Sequence, residues 1–422
     1  MISVEAALDK VLGFVDILED EEKPLLECLG QVLAEDVYAP FDVPPQDNSA
    51  MDGYAVQVGS IKGASDESPR VLRVIGEVAA GYVTDLEVKP GMAIRIMTGA
   101  PVPKGADVVV PFELTDEVNH KDALASCSVT AEIGIYQELP EGLNIRHSGE
   151  DIARGVLVMK TGRLLRPAEL GVLASVGRGK VKVIRRPMIA ILATGDEVLD
   201  VNQPLSPGKI YNSNTYSLAA QVLSYGGIPK LLGIARDNIE DLSTSLRRGL
   251  DCDMLITSGG VSLGDYDVVK EFLAAEGEIS FWTVCMKPGK PLAFGVFDGD
   301  NGRKIPHLGL PGNPVSSMIT FEVFARPAIF KMMGRKNLVR ATVKAVMEDP
   351  VKNSDGRRIF ARVVVNRREG EYIAHLTGPQ GSGILTSMSG ADGLAVIPEA
   401  TTDVKPGDIV EVMMLDQDGA WN

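Results

Sequence analysis

DMLITSGGVSLGDYD, at Asp253–Asp267, decides the fold. Its apolar run suits a buried strand, its glycine pair marks a tight turn, and the residues beyond can open a helix. IPHLGLPGNPVSS at Ile305–Ser317 repeats that order, and RRPMIAILATGDEV at Arg185–Val198 repeats the strand and its loop. Turns that leave a strand and enter a helix expose backbone N–H groups that can hold phosphate. Asp265 and Asp267 in the first turn, and Asp196 and Glu197 in the third, add carboxylates able to hold a hard cation beside it. Three strand-end loops of this kind suggest an enzyme acting on a phosphorylated small molecule.

Around these loops, Arg185–Gly334 alternates strand and helix. Strands are expected at Pro187–Ala193, Lys230–Ala235, Met254–Thr257 and Ser280–Cys285, with helices at Thr215–Tyr225, Ile239–Gly249, Asp267–Ala275 and Pro314–Met333. Asn313 can cap the last helix, Pro314 suits its first position, and Pro327 should kink it. The alternation predicts a mostly parallel sheet covered on both faces, with ligands outside the carboxyl ends of its strands. Before it, Ser3–Ile17 reads as an amphipathic helix capped by Ser3, and Leu25–Leu33 as a shorter one. Three prolines exclude a regular element over Pro40–Ser49. Short β-like runs from Tyr54 to Glu138 predict a compact β-rich domain. Arg166–Gly177 reads as a helix that could pair with the N-terminal ones, making the β-rich domain an insertion. From Arg340 the pattern is β again, enough for a small barrel or sandwich.

At 422 residues roughly two to four domains are expected. A net charge of −15 argues against nucleic acid as partner, while leaving room for a local basic pocket and an anionic small molecule. Cys28, Cys127, Cys252 and Cys285 are far apart and form no CxxC, which suits reduced thiols in a cytoplasmic protein. With the four histidines also scattered, a zinc site is not expected. The acidic N-terminal segment lacks the features of a signal peptide, and no run of eighteen apolar residues suggests a membrane span.

Eight motifs then occur in order: PPQDNSAMDGYAV from Pro44, RIMTGAPVPKGADVVVPFE from Arg95, NIRHSGEDI from Asn144, ATGDEV from Ala193, TSGGVSLGDYD from Thr257, MKPGKP from Met286, LPGNP from Leu310 and GPQGSGILTSM from Gly378. Together they resemble the molybdopterin molybdenumtransferases, the MoeA family, and the C-terminal enzymatic domain of gephyrin, over essentially the whole chain. The resemblance implies a multidomain α/β and β protein. A helical linker domain would comprise 1–46 and 142–180, a β-rich insertion 47–141, and a C-terminal β-barrel 336–422. Between them, 181–335 would form a three-layer α/β domain like that of the molybdopterin adenylyltransferases. The implied activity is Mg²⁺-dependent insertion of molybdate into adenylylated molybdopterin with release of AMP, by a cytoplasmic homodimer. Molybdopterin adenylyltransferase and acceptor molybdoenzymes would be partners.

Within that frame Gly259, Gly260, Gly309 and Gly312 are the natural phosphate cradle, joined by Ser262, Pro311 and Asn313 of the same motifs. Glu197, Asp237 and Asp267 become candidates for the metal and pyrophosphate, although a lone Asp237 also suits a helix cap. Lys287 and Lys290, in a turn held by prolines, can face an anion. Asp52, Thr98 and Asp151 resemble residues that face the sheet domain, from the partner subunit, and Arg362 and Ser382 the contribution of the C-terminal domain. Asn48 suits a turn held by side-chain-to-backbone bonds. Thr283, Pro379 and Gly383 depart from the family pattern, the first replacing a basic residue and the last two lying where a histidine is frequent. Rival readings are a pyrophosphatase-like enzyme and a protein-binding scaffold. Tungstate shares the charge and shape of molybdate, so these residues do not separate the two oxyanions.

Overall fold

The computed structural model describes residues 1–117, 132–259, 277–299 and 302–415. Gly260, Ser262, Asp265, Asp267, Cys127 and the helix expected at Asp267–Ala275 lie outside the described residues. The chain divides into two compact units. One comprises Met1–Ala34, Leu164–Arg166 and Val181–Asn422, the other Glu35–Arg163 and Pro167–Lys180.

The first unit is built on a six-stranded sheet. Its strands are β1 (Met188–Thr194), β2 (Ile228–Ala235), β3 (Met254–Ser258), β4 (Gly277–Thr283), β5 (Pro291–Asp298) and β6 (Lys304–Leu310), in the spatial order β2-β1-β3-β6-β5-β4. The first three pairings in that order are parallel and the last two antiparallel. The near-continuous apolar runs follow from burial on both faces. Ile189, Ile191, Met254 and Ile256 pack in one core with Leu218 and Val222 of the helix Ser213–Ser224. Their alternates Ala190, Leu192 and Leu255 pack in a second core with Leu242 and Leu246 of the helix Ile239–Arg247. The carboxyl ends of β1, β2, β3 and β6 therefore open at one edge, each running into a loop.

Several expected elements change. The N-terminal helix is Val4–Gly13, capped by the Ser3 hydroxyl, which accepts the Ala6 N–H at 3.1 Å. It ends four residues early, at a glycine that weakens helix propagation. Its buried face, Val4, Ala7 and Val11, joins the first sheet core, while the helix Pro167–Ser175 belongs to the other unit. Leu25–Leu33 keeps only a 3₁₀ turn, Leu25–Cys28, between Pro24 and Gly30, whose φ is +77°. The interruption expected at Pro327 takes the form of a π turn, Phe321–Ala325, between Pro314–Thr320 and Arg326–Met332. A proline ring crowds the carbonyl four residues back, here Val323, and the wider turn makes room for it.

The C-terminal part of this unit is a closed barrel rather than a sandwich. Arg358–Arg368, Glu371–Leu376, Thr342–Met347, Ile409–Met414 and Gly393–Ile397 pair in that order, and the last pairs back to the first. Small residues, Ala345, Ala361, Ala374 and Ala395, fill its narrow interior. The second unit holds a five-stranded sheet in the order Val108–Pro111, Gly53–Val56, Met92–Ile96, Arg70–Val78, Glu132–Ile135. Tyr54 and Val56 face one of its cores and Ala55 the other. Among the described residues no helix is long and apolar enough to cross a membrane.

Candidate functional site

The loops after β3 and β6 meet. Gly259 follows Ser258 at the end of β3 with φ +95°, a conformation open to glycine, and its N–H donates to the Leu310 carbonyl at 3.2 Å. A Cβ on Gly312 would lie 3.6 Å from the Gly259 Cα. One side chain ties the two loops together. The Asn214 Nδ2 donates to Ser258 Oγ at 2.7 Å and to the Gly312 carbonyl at 2.8 Å. Asn214 opens the helix Ser213–Ser224, whose cap is the neighbouring Asn212, so its own side chain is free to cross. The sequence reading missed Asn214. The polar run Asn212–Asn214 was its only signal, and a helix cap accounts for that run equally well.

Gly309 does not belong to this cradle. It lies inside β6, in register with Thr257 on one side and Ala293 on the other. A residue flanked by two strands has its backbone polar groups engaged in the ladders. Pro311 is buried, and Asn313 caps the following helix by position, without a side-chain hydrogen bond. Ser382 comes to the same helix start, its carbonyl accepting the Val315 N–H at 3.1 Å.

The loops after β1 and β2 bring their carboxylates together. The Asp196 N–H donates to Asp237 Oδ2 at 3.2 Å, and the Asp237 N–H returns to Asp196 Oδ1 at 3.4 Å. Glu197 is exposed, its carboxylate folded back over Gly195, where a Cβ would lie 2.6 Å from Oε2. Beside this loop opens a cavity of about 900 Å³, whose lining carries Lys209, Arg236 and Arg248 against Asp196 and Asp200. Its wall is thus slightly basic in a chain of net charge −15.

The two lysines and Arg362 have different settings. Lys287, on a short strand beside Ile359, stands half-exposed with its Nζ 3.7 Å from Asp355. Lys290 is exposed. Arg362 is buried and supports the 379–381 loop from within: its Nε donates to Ser387 Oγ at 3.1 Å and its Nη2 to the Gly381 carbonyl at 3.1 Å. The guanidinium shapes the backbone that carries Ser382 rather than facing an open cleft.

In the other unit, Asp52 and Thr98 are joined. The Thr98 N–H and hydroxyl both donate to Asp52 Oδ1, at 2.7 and 2.8 Å. That backbone hydrogen bond, then the hydroxyl, holds the Asp52 carboxyl below its usual range. Asp151 is exposed and donates its N–H to the Val43 carbonyl. Nearby, Asp47 accepts the Ser148 N–H at 2.7 Å and lies 3.2 Å from His147 Nδ1. Asn48 sits in a two-residue strand against Ile145–Arg146, where no regular element was expected, and its buried Oδ1 accepts no hydrogen bond among the described residues. The side-chain-to-backbone bond expected of Asn48 is made by Ser49, whose hydroxyl donates to the Met51 carbonyl.

His307 lies beneath the cradle. It is wholly buried, its Nε2 3.0 Å from Thr257 Oγ1, and burial lowers its pKa to about 4. Unfolding restores an ordinary value near 6.5, so the unfolded chain binds the extra proton between those limits. The stability this group contributes is complete above pH 6.5 and falls as pH drops toward 4. Between pH 7 and pH 5 it should lose about 2 kcal/mol. Thermal melts across that window should show a pH slope that shrinks in His307→Gln; an unchanged slope would contradict the assignment.

A family model of the MoeA N-terminal region (domain I and II) matches residues 2–177. One of a probable molybdopterin binding domain matches 190–331, and one of the MoeA C-terminal region (domain IV) matches 344–415. The chain is 37% identical over 396 residues to molybdopterin molybdenumtransferase 2 of Mycobacterium tuberculosis, covering 92% of this chain and 93% of the relative. It is 36% identical over 423 residues to the molybdopterin molybdenumtransferase of a Nostoc species, covering 98% and 94%. Among solved structures, a molybdopterin biosynthesis moeA protein from Pyrococcus horikosii aligns with a TM-score of 0.80 at 34% identity, over 99% of each chain.

Proposed function

The chain belongs to the MoeA family of molybdopterin molybdenumtransferases, and from that premise we propose that it inserts molybdate into adenylylated molybdopterin, releasing AMP in a Mg²⁺-dependent reaction. The observation that carries the proposal is the meeting of the Gly259 and Gly312 loops beside the loops of Asp196 and Asp237, at the carboxyl ends of parallel strands. Glycine-bearing turns at strand ends suit a pyrophosphate through their backbone N–H groups. The Gly259 N–H is engaged by the Leu310 carbonyl, which leaves this role to the Gly312 loop. The Asp196 and Asp237 carboxylates are hard oxygen donors in water, which fits Mg²⁺, an ion that keeps several of its waters. Among the described residues no group of three or more acidic, histidine or cysteine side chains converges as a full cation cage. Glu197 and Asp237, with Asp267 from the first motif, are the residues we assign to hold the ion. Bound there, Mg²⁺ supplies neutralisation of pyrophosphate charge. Lys287, Lys290 and Ser382 are assigned to the oxyanion, and Asp52, Thr98 and Asp151 to the same reaction.

The test is incubation with adenylylated molybdopterin, Mg²⁺ and molybdate, following AMP and metal-loaded pterin together. Both should appear. AMP without metal-loaded pterin would favour a pyrophosphatase-like enzyme, and neither product would favour a scaffold. The same reading makes the protein a homodimer, so sedimentation at micromolar concentration should give twice the 45.1 kDa chain mass.

A further inference from the structure

We propose that Asn214 is a positioning residue that turns the Ser258 hydroxyl into a hydrogen-bond donor toward a phosphate group held where the two glycine loops meet. The inference rests on the reading above. The Gly312 carbonyl can only accept, so the amide face of Asn214 that meets it must be the nitrogen. An amide nitrogen has two protons. The second goes to Ser258 Oγ at 2.7 Å, so this hydroxyl accepts from Asn214 and keeps its own proton for another partner. Ser258 is 3% exposed and precedes Gly259, at the point where the loops meet. A buried hydroxyl whose acceptor side is already occupied gains most from an anionic oxygen as its acceptor. Thr194 gives a second indication of a polar ligand there. It is 6% exposed, and its Oγ1 has no partner among the described residues although it lies 3.0 Å from where a Gly259 Cβ would stand.

The test is a double-mutant cycle of Asn214→Ala and Ser258→Ala on the full chain. Binding of inorganic pyrophosphate in the presence of Mg²⁺ is measured by calorimetry, and KM and kcat are measured with adenylylated molybdopterin. Asn214→Ala should weaken pyrophosphate about tenfold, or 1.4 kcal/mol, and raise KM by a similar factor with less change in kcat. In the Ser258→Ala background the same substitution should cost less than about threefold. A tenfold loss in both backgrounds would mean a clamp that acts without Ser258, and would overturn the proposal. So would unchanged pyrophosphate binding in Asn214→Ala, or no pyrophosphate binding by the unchanged protein. If Asn214→Ala does not fold, Ser258→Ala alone decides, since binding at full strength there overturns it equally. Absence of AMP release by the unchanged protein, with pyrophosphate binding and the cycle as expected, would count against the proposed reaction and leave this inference standing.

Discussion

Gly259→Ala is expected to lower kcat/KM about a hundredfold or more while leaving most of the fold intact. Gly259 has φ +95°, where a side chain is strained by about 1–3 kcal/mol. The added Cβ would also lie 2.6 Å from the Thr194 carbonyl oxygen and 3.0 Å from Thr194 Oγ1. The first of these is backbone at the end of β1, so the loop must move instead. A displacement near 1 Å at a positioning element costs on the order of a hundredfold in rate. Gly312→Ala is the control. Its Cβ would meet the Gly259 Cα at 3.6 Å, an ordinary contact, and Gly312 has no positive φ to lose. Steady-state kinetics and a thermal melt on both variants check the ranking. A Gly259→Ala enzyme within threefold of the unchanged one would remove the loop from the site.

Arg340→Met should give the largest loss of stability, about 3–5 kcal/mol. Arg340 and Glu322 are both almost fully buried, with Nη2 donating to Glu322 Oε2 at 3.0 Å. The other Glu322 oxygen accepts from Gln221 Nε2 at 2.8 Å and from the Tyr225 hydroxyl. Burial, and next the Glu322 charge, push the Tyr225 phenol far above its usual range, so it stays a neutral donor. Arg340 Nη1 reaches the Leu415 carbonyl at 2.8 Å and the Met414 carbonyl, at the end of a barrel strand. Removing the guanidinium strands a buried carboxylate and unlatches that strand. Urea melts should show Arg340→Met well below the unchanged protein, and the double variant Arg340→Met with Glu322→Gln should lose less, because no unpaired charge remains. Equal stability of the single variant and the unchanged protein would show that the pair contributes nothing.

Much of the candidate site was legible from local pattern. The apolar runs MIAILAT at Met188 and MLITS at Met254 identified strands buried on both faces, and Pro314 marked a helix start. Their order alone placed Asp196 and Gly259 at one edge of a parallel sheet, whereas Asp237 came in only within the frame of the family resemblance. Where the reading failed, a local signal had two meanings. The glycine of LGLPGN reads as turn punctuation, yet pairing on both sides makes Gly309 part of a strand. Arg362 entered through the family resemblance as a contribution of the C-terminal domain, and burial, which no local pattern reports, turns it inward to carbonyl oxygens.

By itself the sequence determined most strands and helices of the sheet domain, the loops proposed to carry the chemistry and, through eight ordered motifs, the family. Those properties depend on periodicity, capping and glycine placement, which act over a few residues. Tertiary structure alone decided that Asn214 joins Ser258, 44 residues away, to Gly312, 98 residues away, and that Arg340 neutralises Glu322. Hydrogen bonds and buried ion pairs of that kind need two groups at a fixed distance, and only the packing of distant segments around a common core sets that distance.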